Sequence, residues 1–322
     1  DARTLKIVTD YKTKHLSRML TYVNSSFTSG AAGVFSLEKA LATKSRKLED
    51  LRDPYANYNK MSIAQLNKLT PKINWNTVFT QLNIKTDSVI VGQPEFFTQL
   101  NKTLTTIPLS AWKNYLRFHL ISGNADYLNS KVNNEDFRFY GTVIRGRKEQ
   151  LPRWKRALQW EEGAMGEILG QLYVKDNFPA ATKARYNKLC DDVFAAFAVR
   201  IKNLDWMSEA TKQKSLQKLN SVTKKVGYPD TWKDFTTLKT NDKSIVDNIK
   251  SANKFWFNYN VSKLNKPVDR TEWDMTPQTY NAYYNPSNNE IVLPAGIFVI
   301  PGFKDEDIDD AIDEPLIAFR RS

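Results

Sequence analysis

A change of pattern near residue 266 constrains this chain more than any other feature. Up to about residue 265, apolar side chains recur at three- and four-residue steps, the spacing of one helix face. From Pro267 the sequence reads PVDRTEWDMTPQTYNAYYNPSNNEIVLPAGIFVIPGF, rich in Pro, Asn and aromatic residues. The reading is mainly α: a multi-helix domain over 1–266, then a small C-terminal β-hairpin segment, 267–322, belonging to a different domain.

The helical spacing can be followed segment by segment. Tyr11, His15, Met19 and Tyr22 form one stripe over 10–23, and Val34, Leu37, Leu41 and Leu48 another over 33–51. Ser62 and Pro94-Glu95 are helix starts. Residues 108–130 present Trp112, Tyr115, Leu116, His119 and Leu120, and residues 155–174 present Leu158, Met165, Leu169 and Leu172. Leu189, Val193, Phe197 and Ile201 recur at i+4 over 180–203, Ser208 caps the next helix, and another covers roughly 243–264. Gly227-Tyr228-Pro229-Asp230 is a stop-and-turn signal. NAYYN and EIVL around PSNN read as a β-hairpin. Two strands are marginally stable alone, so this hairpin is expected to need another partner surface.

Among the 322 residues, 41% are hydrophobic and 12% aromatic, enough for a packed core and against disorder. No apolar run is long enough for a membrane span, and the first residues lack the pattern of a signal peptide. The net charge of +12 raises nucleic acid, anionic lipid or acidic peptides as partners. Its densest cluster, Arg145, Arg147, Lys148, Arg153, Lys155 and Arg156, flanks Pro152 in a turn and reads as a solvated helix junction. No zinc finger, RNA-binding aromatic motif or phosphate loop accompanies it, so nucleic acid is not an expected partner. Cys190 is the sole cysteine, so no internal disulfide can form; a bacterial source fits better than a secreted animal one. It is read as a small core residue.

Several segments, in order, carry a resemblance to a known family: LEKALA (37–42), RDPYANYNKMSIAQL (52–66), INW (73–75), VGQPEFF (91–97), PLSAWKNYLR (108–117), RWKRAL (153–158), LGQLYVKDNF (169–178), LDWMSEATKQKSLQKL (204–219), VGYPDTW (226–232) and the hairpin with LPAGIF. Together they resemble the neprilysin family of zinc endopeptidases, over roughly residues 1–312. The resemblance implies that 1–266 is a helical lid domain that admits oligopeptides and excludes folded proteins by size. It implies that 267–322 begins the catalytic domain, completed by a remainder outside this chain, and an extracytoplasmic location, the bacterial periplasm or cell surface.

The family's zinc lies on an HExxH helix, where two histidines four apart reach the metal and the glutamate activates water. This chain has only His15 and His119, 104 residues apart and outside any such pattern, so neither is expected to be a ligand. Zinc is thus expected in the complete enzyme and none bound by this chain. After LPAGIF the family course is followed to about Ile312, where DEPLIAFRRS replaces the expected turn and zinc helix. Either the catalytic half is removed or lost, or a region is skipped at that point.

By resemblance, Asn281 would pair with the backbone of a bound peptide, and the main chain of Ala282 would carry strand-like hydrogen bonds. Ile297 and Phe303 match positions lining the pocket for the residue after the scissile bond, with Gly302 in place of a common aromatic. From the hairpin residues alone, NAYYNPSNNE is only a hairpin with Asn-rich turn chemistry. Asp305, Glu306, Asp307, Asp309 and Asp310 lack a calcium-loop pattern and read as a solvated acidic segment. The competing expectation is a non-catalytic helical peptide- or protein-binding module.

Overall fold

Side chains at the helix starts fix where the elements begin. In the computed structural model, which describes residues 1–300, 302 and 303, Ser62 closes a reciprocal capping box with Gln65. Asp1, Asn74, Asn129, Ser208 and Ser244 each accept a backbone N–H of the following first turn. The helices are α1 (Ala2–Asp10), α2 (Leu16–Val23), α3 (Ala31–Ala42), α4 (Ile63–Leu69), α5 (Trp75–Gln81), α6 (Pro94–Thr106), α7 (Leu109–Gly123), α8 (Ser130–Asp136), α9 (Arg153–Asn177), α10 (Ala180–Lys202), α11 (Glu209–Asn220) and α12 (Ile245–Val261). The strands are β1 (Lys60–Ser62), β2 (Ser88–Ile90), β3 (Thr223–Gly227), β4 (Tyr283–Asn285) and β5 (Glu290–Pro294). The fold is mainly α with a small β segment, as the spacing implied. The acidic run from Asp305 and the break expected after about 312 lie outside the described residues.

The chain divides into two units, and neither is a single stretch. The first comprises 1–152 and 240–266, the second 153–239 and 267–322. The sequence shows one crossing, at 266; the fold has two more, at 152 and 239. The reason is β3, which helical periodicity conceals. It pairs in parallel with β5, Thr223 opposite Glu290 and Gly227 opposite Pro294, while β4 pairs antiparallel on the other side of β5. The surface the hairpin needed is therefore supplied by residues before 240.

In the first unit Leu16, Met19, Leu20, Val34, Phe118, Ile121 and Val132 form the core. A π-helical turn, Tyr11–His15, leads into α2 and carries His15 inside, and a second, Phe137–Ile144, follows α8. Between them lies a buried polar network. The Glu135 carboxylate accepts Arg18 Nη1 at 2.8 Å and Arg138 Nε and Nη2 at 2.9 and 2.7 Å, and sits 3.2 Å from His15 Nδ1. Arg138 also reaches Asp10 at 2.8 Å. Burial opposes ionisation of Glu135, but hydrogen bonds from His15, Arg138 and Arg18 outweigh it and hold its carboxyl at about 2.

Several predicted stripes end up differently placed. α3 stops at Ala42, and Leu48 is exposed. The loop after α3 is instead pinned by Arg46, whose guanidinium pairs with Glu95 and donates to the Ala56 carbonyl at 2.8 Å. On α7, Ala111, Phe118 and Ile121 are buried while Leu116 and Leu120 face outward. α9 kinks at Met165 (φ −148°, ψ 35°), which turns Gly166, Gly170 and Val174 inward and leaves Leu158 and Leu172 exposed.

Candidate functional site

The second unit's core is built from Val174, Phe178, Tyr186, Val226, Leu293, Ala295 and Phe298, with Cys190 packed against it. Phe298 stacks on Tyr186 with ring centroids 4.0 Å apart, and Phe178 lies 5.8 Å from each. This core backs the sheet β3-β5-β4, and β4 is its edge: among the described residues no strand pairs with the outer side of β4.

The segment approaching that edge is set by close backbone contacts. A Cβ on Gly170 would lie 2.6 Å from Pro277 Cδ, and one on Gly166 2.9 Å from Thr276 Cγ2. The Gln278 side-chain Nε2 donates to the Gly166 carbonyl at 2.9 Å. From the other side the Gly296 N–H donates to the Pro277 carbonyl at 2.8 Å. A Cβ on Gly296 would fall 2.6 Å from the Gln278 carbonyl oxygen and 2.9 Å from that of Thr279. Both obstacles are backbone, so Gly296→Ala is expected to destabilise by about 1–3 kcal/mol, as overpacking does. A chemical melt against the parent checks it; equal midpoints would show that the segment yields freely.

Asn281 is exposed and stands just before β4. Its N–H donates to the Thr279 carbonyl, and its Oδ1 accepts the Ala282 N–H at 2.8 Å. The Ala282 donor is thus satisfied by a neighbouring side chain rather than by β5. Ile297 closes the short 3₁₀ turn Ala295–Ile297 after β5 and is half-buried against the core. Phe303 is exposed, after Gly302 at φ +88°. The structure brings Asn281 and Ala282 together at the strand edge. It places Ile297 against the core and Phe303 in solvent.

Both histidines sit in the first unit, each beside a carboxylate. His15 lies at Glu135, stacked on Phe139 at 4.5 Å; His119 Nε2 lies 3.1 Å from Glu38, which also accepts the Tyr11 hydroxyl. Burial holds the Glu38 carboxyl above its usual range despite the bonds from Tyr11 and His119. Each pair supplies two donors, and among the described residues no group of three His, Cys, Asp or Glu side chains could hold a metal ion. These residues do not fit a catalytic zinc.

Sequence reasoning missed a buried polar cluster beneath the edge. Glu290 pairs with Lys225 at 2.7 Å, and Glu167 with Lys233 at 2.8 Å. The charged Lys224-Lys225 pair disguises β3 as a solvated stretch.

The model of peptidase family M13 matches residues 1–229. The chain belongs to peptidase family M13. Family M13 relatives include human endothelin-converting enzyme 1, 30% identical over 280 residues covering 83% of this chain and 36% of that protein. Neprilysin-3 of Drosophila melanogaster is 28% identical over 290 residues, covering 84% of this chain and 37% of that protein. The zinc metalloprotease Zmp1 of Mycobacterium tuberculosis, solved with an inhibitor, superposes with a TM-score of 0.88 at 34% identity over 97% of this chain and 48% of that one. The chain thus spans between about a third and a half of the length of these M13 proteins. The neprilysin-family resemblance carried by the segments from LEKALA to LPAGIF is the same relationship.

Proposed function

We propose that the full-length protein is a zinc-dependent endopeptidase acting on oligopeptides, and that this chain supplies its helical domain and the strand edge that holds the substrate. The observation that carries the reading is the outer edge of β4, with which no strand pairs among the described residues, and which Asn281 and Ala282 lead into. A peptidase acting on many short peptides must grip backbone, and an exposed strand edge does so by adding the peptide as another strand. An incoming peptide carbonyl takes the place of Asn281 Oδ1 on the Ala282 N–H. The freed Asn281 amide then offers one donor and one acceptor to the peptide. Ile297 and Phe303 contribute apolar surface to the pocket for the residue after the scissile bond. Zinc and the groups that activate water belong to the remainder of the catalytic domain.

Exposed apolar side chains support such a remainder. Val193, Phe197, Leu158 and Leu172 lie at helical spacing on α10 and α9 yet face outward, an arrangement expected of surface covered by further structure. The first unit, 1–152 and 240–266, acts as the size-restricting lid. The extracytoplasmic site, periplasm or cell surface of a bacterium, is part of the proposal; no helix among the described residues is long and apolar enough to cross a membrane.

In the full-length protein, Asn281→Ala is expected to lower kcat/KM for peptides about tenfold, mainly through KM, the loss of one or two hydrogen bonds. The melting temperature stays at the parent value because the residue is exposed. Unchanged kinetics would remove Asn281 from the site. A second reading, a non-catalytic helical binding module, rests on an apolar cavity of about 650 Å³ in the first unit, lined by residues including Phe79, Ile84, Val89, Phe257 and Val261. Peptide that binds there and is not cleaved by the full-length protein would favour it.

A further inference from the structure

The second unit holds a buried ion pair that the peptide-binding reading does not use. Lys225, on β3, is 7% exposed and Glu290, at the start of β5, 1%. Lys225 Nζ donates to Glu290 Oε2 at 2.7 Å and also to the backbone carbonyl of Glu272 at 2.7 Å. A buried Lys–Glu pair is weak support for stability, because the desolvation cost rivals the attraction. Its geometry suggests another use. The ammonium joins three pieces of chain: its own strand, the central strand β5 and the segment that leads to Asn281.

That segment is fixed at successive points. Glu272 is held through its carbonyl by Lys225, and the Asp274 N–H donates to the Tyr283 hydroxyl at 3.0 Å. Tyr283 is the first residue of β4, two beyond Asn281, and pairs with Val292 of β5. Pro277 is held by the Gly296 N–H, and Gln278 by Gly166. Beyond Gln278, Thr279 bonds to Thr276 through its N–H at 3.0 Å and through its hydroxyl at 2.9 Å, and the Asn281 N–H donates to Thr279. Asn281 thus stands at the end of a segment tied to the sheet and to the helix beside it, and Lys225 is the tie at its start.

We propose that Lys225 and Glu290 are positioning residues: a three-way clamp that sets the approach segment 272–281 against β5 and so presents the Asn281–Ala282 edge at the angle a peptide backbone requires. The proposal rests on the reading of that edge as the substrate-binding strand. Hydrophobic residues of similar volume fill the same space and remove the clamp without leaving a buried charge.

The test is the double variant Lys225→Met, Glu290→Leu in the full-length protein, beside Asn281→Ala and the conservative Lys225→Arg. The double variant is expected to melt at or above the parent temperature, to exchange amide hydrogens over 272–282 faster, and to raise peptide KM about tenfold with a smaller change in kcat. Lys225→Arg, which keeps a charged donor, is expected to retain slow exchange and near-parent KM. Should the double variant not fold, Glu290→Gln keeps volume and acceptor while weakening the clamp; exchange and KM then move in the same direction, by about threefold. Unchanged exchange over 272–282 in a folded variant overturns the clamp. Faster exchange with unchanged KM overturns its role in binding if Asn281→Ala raises KM; if Asn281→Ala also leaves KM unchanged, the edge-strand reading fails with it.

Discussion

Replacing Glu135 with alanine is expected to destabilise the protein by roughly 3–5 kcal/mol, the cost of breaking a buried charge network by removing one partner. Glu135 is the shared acceptor of Arg18, Arg138 and His15, contributed by three different segments. Without it Arg138 keeps Asp10, and Arg18, half-exposed, can turn to water. His15 is fully buried and has no such exit. Equilibrium unfolding in denaturant measures the loss, and a change under 1 kcal/mol would show that solvent relieves the network.

The same carboxylate gives a pH signature. Its folded value, about 2, lies below the ordinary 4.5, so its contribution is fully present above 4.5 and is lost as pH falls toward 2. The neighbouring Asp136 acts oppositely. Burial raises its carboxyl to about 6, so the folded state holds a proton that the unfolded chain has released above 3.8, and stability falls between 3.8 and 6. Asp136→Asn is expected to flatten that fall, and Glu135→Ala to flatten the acid limb.

The other large effect is expected in the second unit. Phe298→Ala removes a buried ring sandwiched with Tyr186 and Phe178, and about 3–5 kcal/mol is the usual cost of such a truncation. The cavity cannot collapse easily, because Phe178 already lies against Gly227, where an added Cβ would approach within 2.5 Å. Phe298 follows Ile297 directly, so the loss also loosens the turn after β5. A destabilisation below 1.5 kcal/mol, again by denaturant melt, would mean the neighbouring rings close the gap.

How much of this was legible in the sequence differs by element. The hairpin was, because Asn285-Pro286-Ser287-Asn288 between two apolar runs is a local signal, and a turn depends on few residues. The caps at Ser62 and Ser208 were legible for the same reason. β3 was not: its partner is more than sixty residues away, and its Lys224-Lys225 look like surface until Glu290 is known to face Lys225. The π-turn at Tyr11–His15 preserved the stripe of Tyr11, His15 and Met19 while altering the winding beneath it, so the residues matched and the local geometry did not. Leu116, Leu120, Val193 and Phe197 kept their helical spacing but face outward, because spacing identifies a face and not what covers it. Asn281 and Ala282 were singled out by family resemblance alone; the bond that fills the Ala282 donor required the structure.

A peptide that adds to the sheet along β4 covers the backbone amides of that strand. Amide hydrogen exchange in the full-length protein, with and without a peptide lacking a cleavable bond, tests that addition most directly. Slowed exchange is expected at Ala282 through Asn285, with the cavity-lining residues Val89 and Val261 unchanged. Slowed exchange at Val89 and Val261 with none at Ala282 would contradict it.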